Sequence, residues 1–213
     1  VTDLNAHPFY GNRNKVAAVH NGIIENFQQL RAVLQKEGVE FSSETDSEVI
    51  PNLVEKHYSG NLLDAVQKAL DKVIGTYALA ITCVDEPDKI VVAKRGGPLV
   101  IGLSEDAYYI ASDVTAIVGN TTRVIYLEDG DIVEVTKDGL KFPNVINNDY
   151  AKRVEEITIN AHETEKCGYE TYMEKEINEQ PHLWLWSHRR WKHTRQEVER
   201  IQQGFARHAE AKD

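Results

Sequence analysis

The sequence has little cysteine and no long apolar run, and each absence excludes a class of protein. Two cysteines, Cys83 and Cys167, occur in 213 residues; this is too few for a disulfide-stabilised secreted scaffold, and neither has the spacing of a zinc site. No run approaches the roughly 20 apolar residues that cross a bilayer. The start of the chain has no charged segment followed by an apolar one, so it does not predict a secretory signal. We therefore expect a cytoplasmic protein without a membrane span.

Positive charge is also scarce, with 24 Lys and Arg against 34 Asp and Glu and a net charge of −10. An acidic surface repels phosphate backbones, so neither nucleic acid nor a membrane surface is an expected partner. The balance changes near Pro181. The residues beyond it are basic and contain all three tryptophans, Trp184, Trp186 and Trp191. We therefore divide the chain into a domain at residues 1–181 and a divergent basic, tryptophan-rich tail at 182–213.

Several common catalytic and cofactor motifs are missing. No Gly-x-Ser-x-Gly string marks a serine hydrolase, and residues 96–98 (Gly-Gly-Pro) match neither glycine-rich phosphate-binding pattern. His162 and Cys167 lie five residues apart without a second pair, which does not predict a metal site. The sequence therefore gives no reason to expect a metal ion or any other cofactor.

Helices are expected in the first third of the chain, after a short buried strand that ends at His20. Apolar residues at helical spacing begin at Phe27 and stop at Gly38. Thr45 and Glu48 have the spacing of a capping box, which predicts that a second helix begins there, although Pro51 fits poorly near its start. A third helix is expected at residues 62–73.

Beyond Gly75 the apolar pattern becomes that of short strands, predicted at residues 77–84, 90–93, 99–103, 108–111, 123–127 and 132–135. Turn residues separate them at close intervals, which favours antiparallel hairpins over long crossovers. Because the helices come first and the strands later, we expect an α+β fold built in layers.

Three places have residues that could carry chemistry. Asn21-Gly22 is typical of a tight turn, but an Asn amide and a Gly backbone N–H side by side could also stabilise an oxyanion. Asp46, expected in the first turn of the second helix, favours the helix dipole or could bind a substrate ammonium. His7 precedes a proline and is expected to be extended, and a histidine in such a place is more often a loop residue than a catalytic one. Local sequence leaves these alternatives open.

Taken together, the motifs resemble the glutaminase domain of the glutamine–fructose-6-phosphate aminotransferase family, a group of class II glutamine amidotransferases. Three strings carry most of the resemblance: Asn-Ala-His-Pro at 5–8, Val-His-Asn-Gly-Ile-Ile-Glu-Asn at 19–26, and Ser-Glu-Thr-Asp-Ser-Glu-Val-Ile at 43–50. Further matches lie at residues 97–102, 111–113, 127–131 and 173–181. The last of these, which ends at Pro181, favours this family over other amidotransferases.

The resemblance implies a four-layer αββα sandwich in which an N-terminal cysteine attacks the side-chain amide of glutamine, with its own α-amino group as the base. Asn21 and Gly22 would form the oxyanion hole, and Asp46, with Gly22 and His7, would bind the substrate. The ammonia released would pass to a sugar-isomerase domain that aminates fructose 6-phosphate, in a parent protein expected to be a homodimer. The family's Cys-Gly-Ile-Val-Gly start does not occur in this sequence, so we expect a chain truncated at both ends, with a sandwich incomplete at its N-terminus.

We expect that the polypeptide of residues 1–213 alone does not hydrolyse glutamine, because the nucleophile of the covalent route is missing. Incubation with glutamine and an assay for glutamate test this expectation, and turnover that depends on the polypeptide would contradict it. Two alternatives stay open. The chain could be a non-catalytic module that binds glutamine or a partner, or the glutaminase domain of another class II enzyme such as an amidophosphoribosyltransferase.

Overall fold

The structure, a computed structural model, describes residues 2–143, 150–157, 170–171, 173–175 and 177–178. The chain divides into two compact units, Val1–Ile159 and Asn160–Asp213. The proposed tail at 182–213 lies outside the described residues, as do His162 and Cys167. Within the described residues, no helix has the length and apolar character that a membrane crossing requires.

The first unit contains three α-helices and ten β-strands in the described residues. The helices are α1 (Phe27–Lys36), α2 (Val49–His57) and α3 (Leu62–Leu70). The strands are β1 (Phe9–Tyr10), β2 (Val16–Ile24), β3 (Gly75–Cys83), β4 (Glu86–Arg95), β5 (Val100–Leu103), β6 (Tyr108–Ala111), β7 (Arg123–Tyr126), β8 (Ile132–Thr136), β9 (Gly139–Lys141) and β10 (Val154–Glu156). Short 3-10 helices cover Asp3–Asn5, Val114–Ala116 and Tyr150–Arg153.

The strands form two antiparallel sheets. The first sheet has six strands in the order β1-β2-β3-β4-β8-β9, and the second has four in the order β10-β7-β5-β6. In the first sheet β2 pairs with β3 over its whole length, from Val16 opposite Cys83 to Ile24 opposite Gly75. This long ladder fixes the register of β2, the strand that carries Asn21 and Gly22.

Two apolar layers hold the unit together, one on each face of the first sheet. The three helices pack on one face, in a cluster that includes Val16, Leu34, Val54, Val66 and Leu79. The other face meets the second sheet in a cluster that includes Val92, Leu99, Ile101, Ile125 and Val133. The outer face of the second sheet is covered by residues of the 3-10 helix Val114–Ala116 and by Ile117. The α+β fold class, the three helices and the six predicted strands are confirmed.

The tight turn predicted as one reading of Asn21-Gly22 is wrong. Strand β2 runs on through both residues to Ile24, with Asn21 opposite Ala78 and Gly22 opposite Tyr77. Gly22 does use the positive φ that the pattern suggests, at +146°. Pairing with β3 along the whole strand outweighs the local preference of the dipeptide for a turn, because each further residue adds to the antiparallel ladder.

The capping box predicted from Thr45 and Glu48 is also wrong. Helix α2 begins at Val49, so Asp46 precedes it by three residues and does not lie in its first turn. The Glu48 carboxylate instead accepts hydrogen bonds from the backbone N–H groups of Ser42 and Ser43, at 2.9 and 2.7 Å. Pro51 falls in the first turn, where a backbone N–H would have no helical acceptor, so the helix tolerates it.

Candidate active site

Three segments far apart in sequence meet at the end of β2. The Asn5 side-chain oxygen accepts a hydrogen bond from the backbone N–H of Glu44 at 3.2 Å. The Asp46 carboxylate accepts one from the backbone N–H of Ile24 at 2.7 Å. These bonds join the first segment of the chain and the loop before α2 to the strand that carries Asn21 and Gly22.

Asp46 is half-buried and is held through both carboxylate oxygens. Oδ2 accepts the Ile24 N–H, and Oδ1 lies 3.3 Å from the donating hydroxyl of Ser47. Ile24 follows Gly22 by two residues, so the carboxylate is anchored to the same strand as the two candidate oxyanion donors. Each carboxylate oxygen has two lone-pair directions, which leaves acceptor capacity for a substrate ammonium.

Asn21 and Gly22 lie on opposite faces of β2, because neighbouring residues of a strand alternate. Asn21 is exposed, and its side-chain amide forms no hydrogen bond within the part of the chain that the structure describes. A Cβ built at Gly22 would lie 2.2 Å from the carbonyl oxygen of Thr76 and 3.0 Å from Nε2 of His20. Together with the positive φ, this close approach requires glycine.

A cavity of about 1050 Å³ opens between the two sheets, and His7 and Asn21 lie in its wall. His7 is exposed, follows Ala6 in the segment bonded to Glu44, and contacts Phe9 edge to face, with 4.9 Å between ring centroids. Much of the remaining wall is apolar and includes Ala17, Ala78, Ala80, Leu99 and Ile110. Gly22 and Asp46 are not among the lining residues. The structure therefore brings His7 and Asn21 to one cavity, whereas Asp46 is bonded to the backbone of Ile24 on β2.

His20 is a polar residue of the site to which the sequence motifs assign no role. It is only 5% exposed. Its Nδ1 lies 2.8 Å from Ser47 Oγ, and its Nε2 lies 3.4 Å from the carbonyl oxygen of Thr76. Burial lowers the pKa of His20 below its ordinary value, although the Thr76 carbonyl and the Asp46 charge oppose the shift. Alternation along the strand would have placed His20 on the buried face with Val16 and Ala18.

Glu48 fixes the loop that presents Asp46. Its carboxylate accepts four hydrogen bonds, from the backbone N–H and the hydroxyl of both Ser42 and Ser43. Burial by itself raises the pKa of Glu48, but the bonds from Ser43 and Ser42 outweigh it and hold the pKa below its ordinary value of 4.5. The ionised carboxylate is therefore part of the folded loop.

A pH-dependent loss of stability follows from the pKa of Glu48. Because the pKa is lower in the folded than in the unfolded protein, the stabilisation is present above about pH 4.5 and is lost as the pH falls through the folded value. We expect the free energy of unfolding in urea to fall between pH 5 and pH 3. The fall should be smaller in Glu48→Gln, which is less stable at pH 7. If the free energy of unfolding fell equally between pH 5 and pH 3 in both proteins, the result would contradict this stabilising role of Glu48.

Cys83 cannot supply a thiol to this site. It is 2% exposed and lies at the end of β3, opposite Val16. Asn21 pairs with Ala78, five residues earlier on β3, which is roughly 16 Å along a strand. Among the described residues, no group of three or more His, Cys, Asp and Glu side chains could hold a metal ion.

Comparison with known proteins identifies the family to which the chain is similar. A family model described as a glutamine amidotransferase domain matches residues 2–119. Curated relatives from Clostridium perfringens and Clostridium acetobutylicum, both named glutamine–fructose-6-phosphate aminotransferase (isomerizing), are 48% and 50% identical over 180 residues, which is 84% of this chain. The relative of the same name from Thermotoga maritima is 45% identical over 179 residues. The chain spans 30% of the length of each of these relatives.

A solved structure, the glutamine phosphoribosylpyrophosphate amidotransferase of B. subtilis, resembles the fold with a TM-score of 0.55 and 29% identity. The similarity covers 73% of this chain and 32% of that one.

Proposed function

The chain belongs to the glutamine amidotransferase domain family, and we propose that it forms the glutaminase part of a glutamine–fructose-6-phosphate aminotransferase. Relatives of that name match 84% of the chain at 48% and 50% identity. In this proposal the domain releases ammonia from glutamine, and a sugar-isomerase domain of a homodimeric parent uses it to aminate fructose 6-phosphate.

The observation that carries the proposal is the anchoring of Asp46 beside Asn21 and Gly22. A carboxylate held through a backbone N–H and a hydroxyl is suited to bind the α-ammonium of glutamine, because ionised partners give the stronger hydrogen bonds. The side chain of glutamine then extends along β2 toward the two donors. His7, in the wall of the neighbouring cavity, is the remaining residue that we assign to substrate binding.

The chemistry requires that negative charge develop on the amide oxygen of glutamine. A thiolate attacks the amide carbon, and the carbonyl oxygen becomes an oxyanion that the Asn21 amide and the Gly22 N–H stabilise. Ammonia leaves after protonation, and water hydrolyses the resulting thioester to glutamate. Removal of one oxyanion donor commonly costs about 100-fold to 1000-fold in kcat. The nucleophile in this proposal is the N-terminal cysteine that the family resemblance implies.

The test is an assay of the protein encoded by the complete reading frame that contains residues 1–213. With glutamine and fructose 6-phosphate we expect glucosamine 6-phosphate and glutamate in equal amounts. In Asn21→Ala, glutamine-dependent synthesis should fall about 100-fold or more, as expected for an oxyanion donor. Amination of a ribose phosphate instead would identify the other class II enzyme. The absence of any glutamine-dependent product would contradict the proposal.

A further inference from the structure

Three side chains form a hydrogen-bonded series behind the proposed ammonium site. His20 on β2 contacts Ser47 at 2.8 Å, and the Ser47 hydroxyl donates to Asp46 at 3.3 Å. His20 and Ser47 are 5% and 7% exposed, whereas Asp46 is half-buried. The two buried side chains therefore lead to the half-buried carboxylate of Asp46.

The positions of the protons follow from the donors available. A hydroxyl has one proton and an ionised carboxylate has none, so the 3.3 Å contact is a hydrogen bond only when Ser47 donates its proton to Asp46. The His20 ring must then donate from Nδ1 to Ser47 Oγ. The opposite nitrogen, Nε2, lies 3.4 Å from the Thr76 carbonyl oxygen, which can only accept a hydrogen bond. A proton on Nε2 would let Ser47 donate to Nδ1 instead of to Asp46, so the tautomer of His20 decides whether Ser47 bonds the carboxylate.

The arrangement is not a hydrolytic triad. In a triad the acid bonds the second ring nitrogen of the histidine and the serine hydroxyl is open to substrate. Here the acid bonds the serine hydroxyl instead, and Ser47 is buried. The series therefore ends at Asp46, and any effect on substrate passes through that carboxylate.

We infer that Ser47 and His20 are positioning residues, which hold the Asp46 carboxylate in the direction that receives the α-ammonium of glutamine. The inference rests on the function proposed for Asp46. The Ile24 N–H alone fixes one oxygen and leaves the carboxylate free to turn about that bond. The Ser47 hydroxyl fixes the second oxygen, and His20 fixes the hydroxyl.

The first experiment compares glutamine binding by isothermal titration calorimetry in the polypeptide and in Ser47→Ala. Loss of one hydrogen bond is worth about 1 kcal/mol, so we expect affinity to fall about fivefold to tenfold. Ser104→Ala is the matched control, because it removes a serine hydroxyl that also donates to a carboxylate, that of Asp106, between β5 and β6 and away from the site. Its affinity should stay within about twofold of the unchanged protein. Equal affinity of Ser47→Ala and the unchanged protein would overturn the inference.

The second experiment tests the hydrogen-bonded series in the absence of glutamine. It measures the 15N NMR chemical shifts of the two His20 ring nitrogens, which report the tautomer. The unchanged protein should show the Nδ1-protonated tautomer. In Ser47→Ala the proton should move to Nε2, which faces the Thr76 carbonyl, whereas Ser104→Ala should leave the tautomer unchanged. Identical ring shifts in the unchanged protein and Ser47→Ala would overturn the inference, whether or not glutamine binds. A protein with the expected tautomers that binds no glutamine would instead contradict the function proposed for Asp46.

Discussion

Replacing Asp46 by asparagine is expected to weaken glutamine binding by about 30-fold to 150-fold, or 2–3 kcal/mol. The size follows from the loss of a charge-assisted contact with the α-ammonium in a half-buried site. Asparagine has nearly the same shape, and its side-chain oxygen can still accept the Ile24 N–H. The loss should therefore appear in the dissociation constant measured by calorimetry, with little change in the unfolding free energy.

Asp64→Asn is a suitable control for the removal of one negative charge. Asp64 lies on α3, where its carboxylate pairs with Lys68 at 2.7 Å and is 48% exposed. Its removal should change glutamine affinity by less than about twofold, because an exposed pair contributes little and is screened by salt. If the Asp46 and Asp64 variants lost affinity to the same extent, binding would depend on overall charge and not on the site described here.

Replacing Glu55 by glutamine is expected to lower the free energy of unfolding by about 3 kcal/mol, since a buried donor would lose its acceptor. Glu55 is 5% exposed. Its Oε1 accepts the backbone N–H groups of Lys15 and Val16 at 2.8 and 3.1 Å, and its Oε2 accepts that of Arg13 at 2.8 Å. In glutamine one oxygen becomes an NH₂ group, which cannot accept a hydrogen bond and must face a backbone donor.

Thermal and urea unfolding measure this effect. For a chain of this size, 3 kcal/mol corresponds to a fall of about 6–12 °C in Tm. Glu37→Gln is the control, because Glu37 pairs with Lys56 and is 45% exposed, and its removal should cost less than about 1 kcal/mol. A Glu55 variant within 1 kcal/mol of the unchanged protein would show that the segment before β2 does not depend on this carboxylate.

Most of the fold could be predicted, because the spacing of apolar residues is visible in the local sequence and matches the face of each helix or strand that is buried. The helices α1 and α3 and the strands β3 to β8 have apolar residues at the spacing of their buried faces. The strands β1, β9 and β10 contain two or three residues each, which is too short for a pattern to emerge. They form because a neighbouring strand supplies the hydrogen-bonding partner, which is β2 for β1, β8 for β9 and β7 for β10.

The site could be predicted only in part. The motif strings led to Asn21, Gly22 and Asp46, and the structure places Asp46 against the backbone of Ile24. The local geometry was wrong at both Asn21-Gly22 and Thr45–Glu48, because tertiary partners, β3 in one case and Ser42 and Ser43 in the other, replaced the local bonds. His20 was missed for a similar reason, since its importance comes from Ser47, which lies 27 residues later in the chain.

The central claim is that Asn21, Gly22 and Asp46 form one glutamine site, and chemical-shift mapping of the 15N-labelled polypeptide during titration with glutamine tests it most directly. We predict saturable shifts at the Asn21 side-chain amide, at the Gly22 N–H and at the Ile24 N–H that bonds Asp46, with α3 unaffected. Shifts that saturate at other residues while these three signals stay in place would contradict the account, as would the absence of any shift.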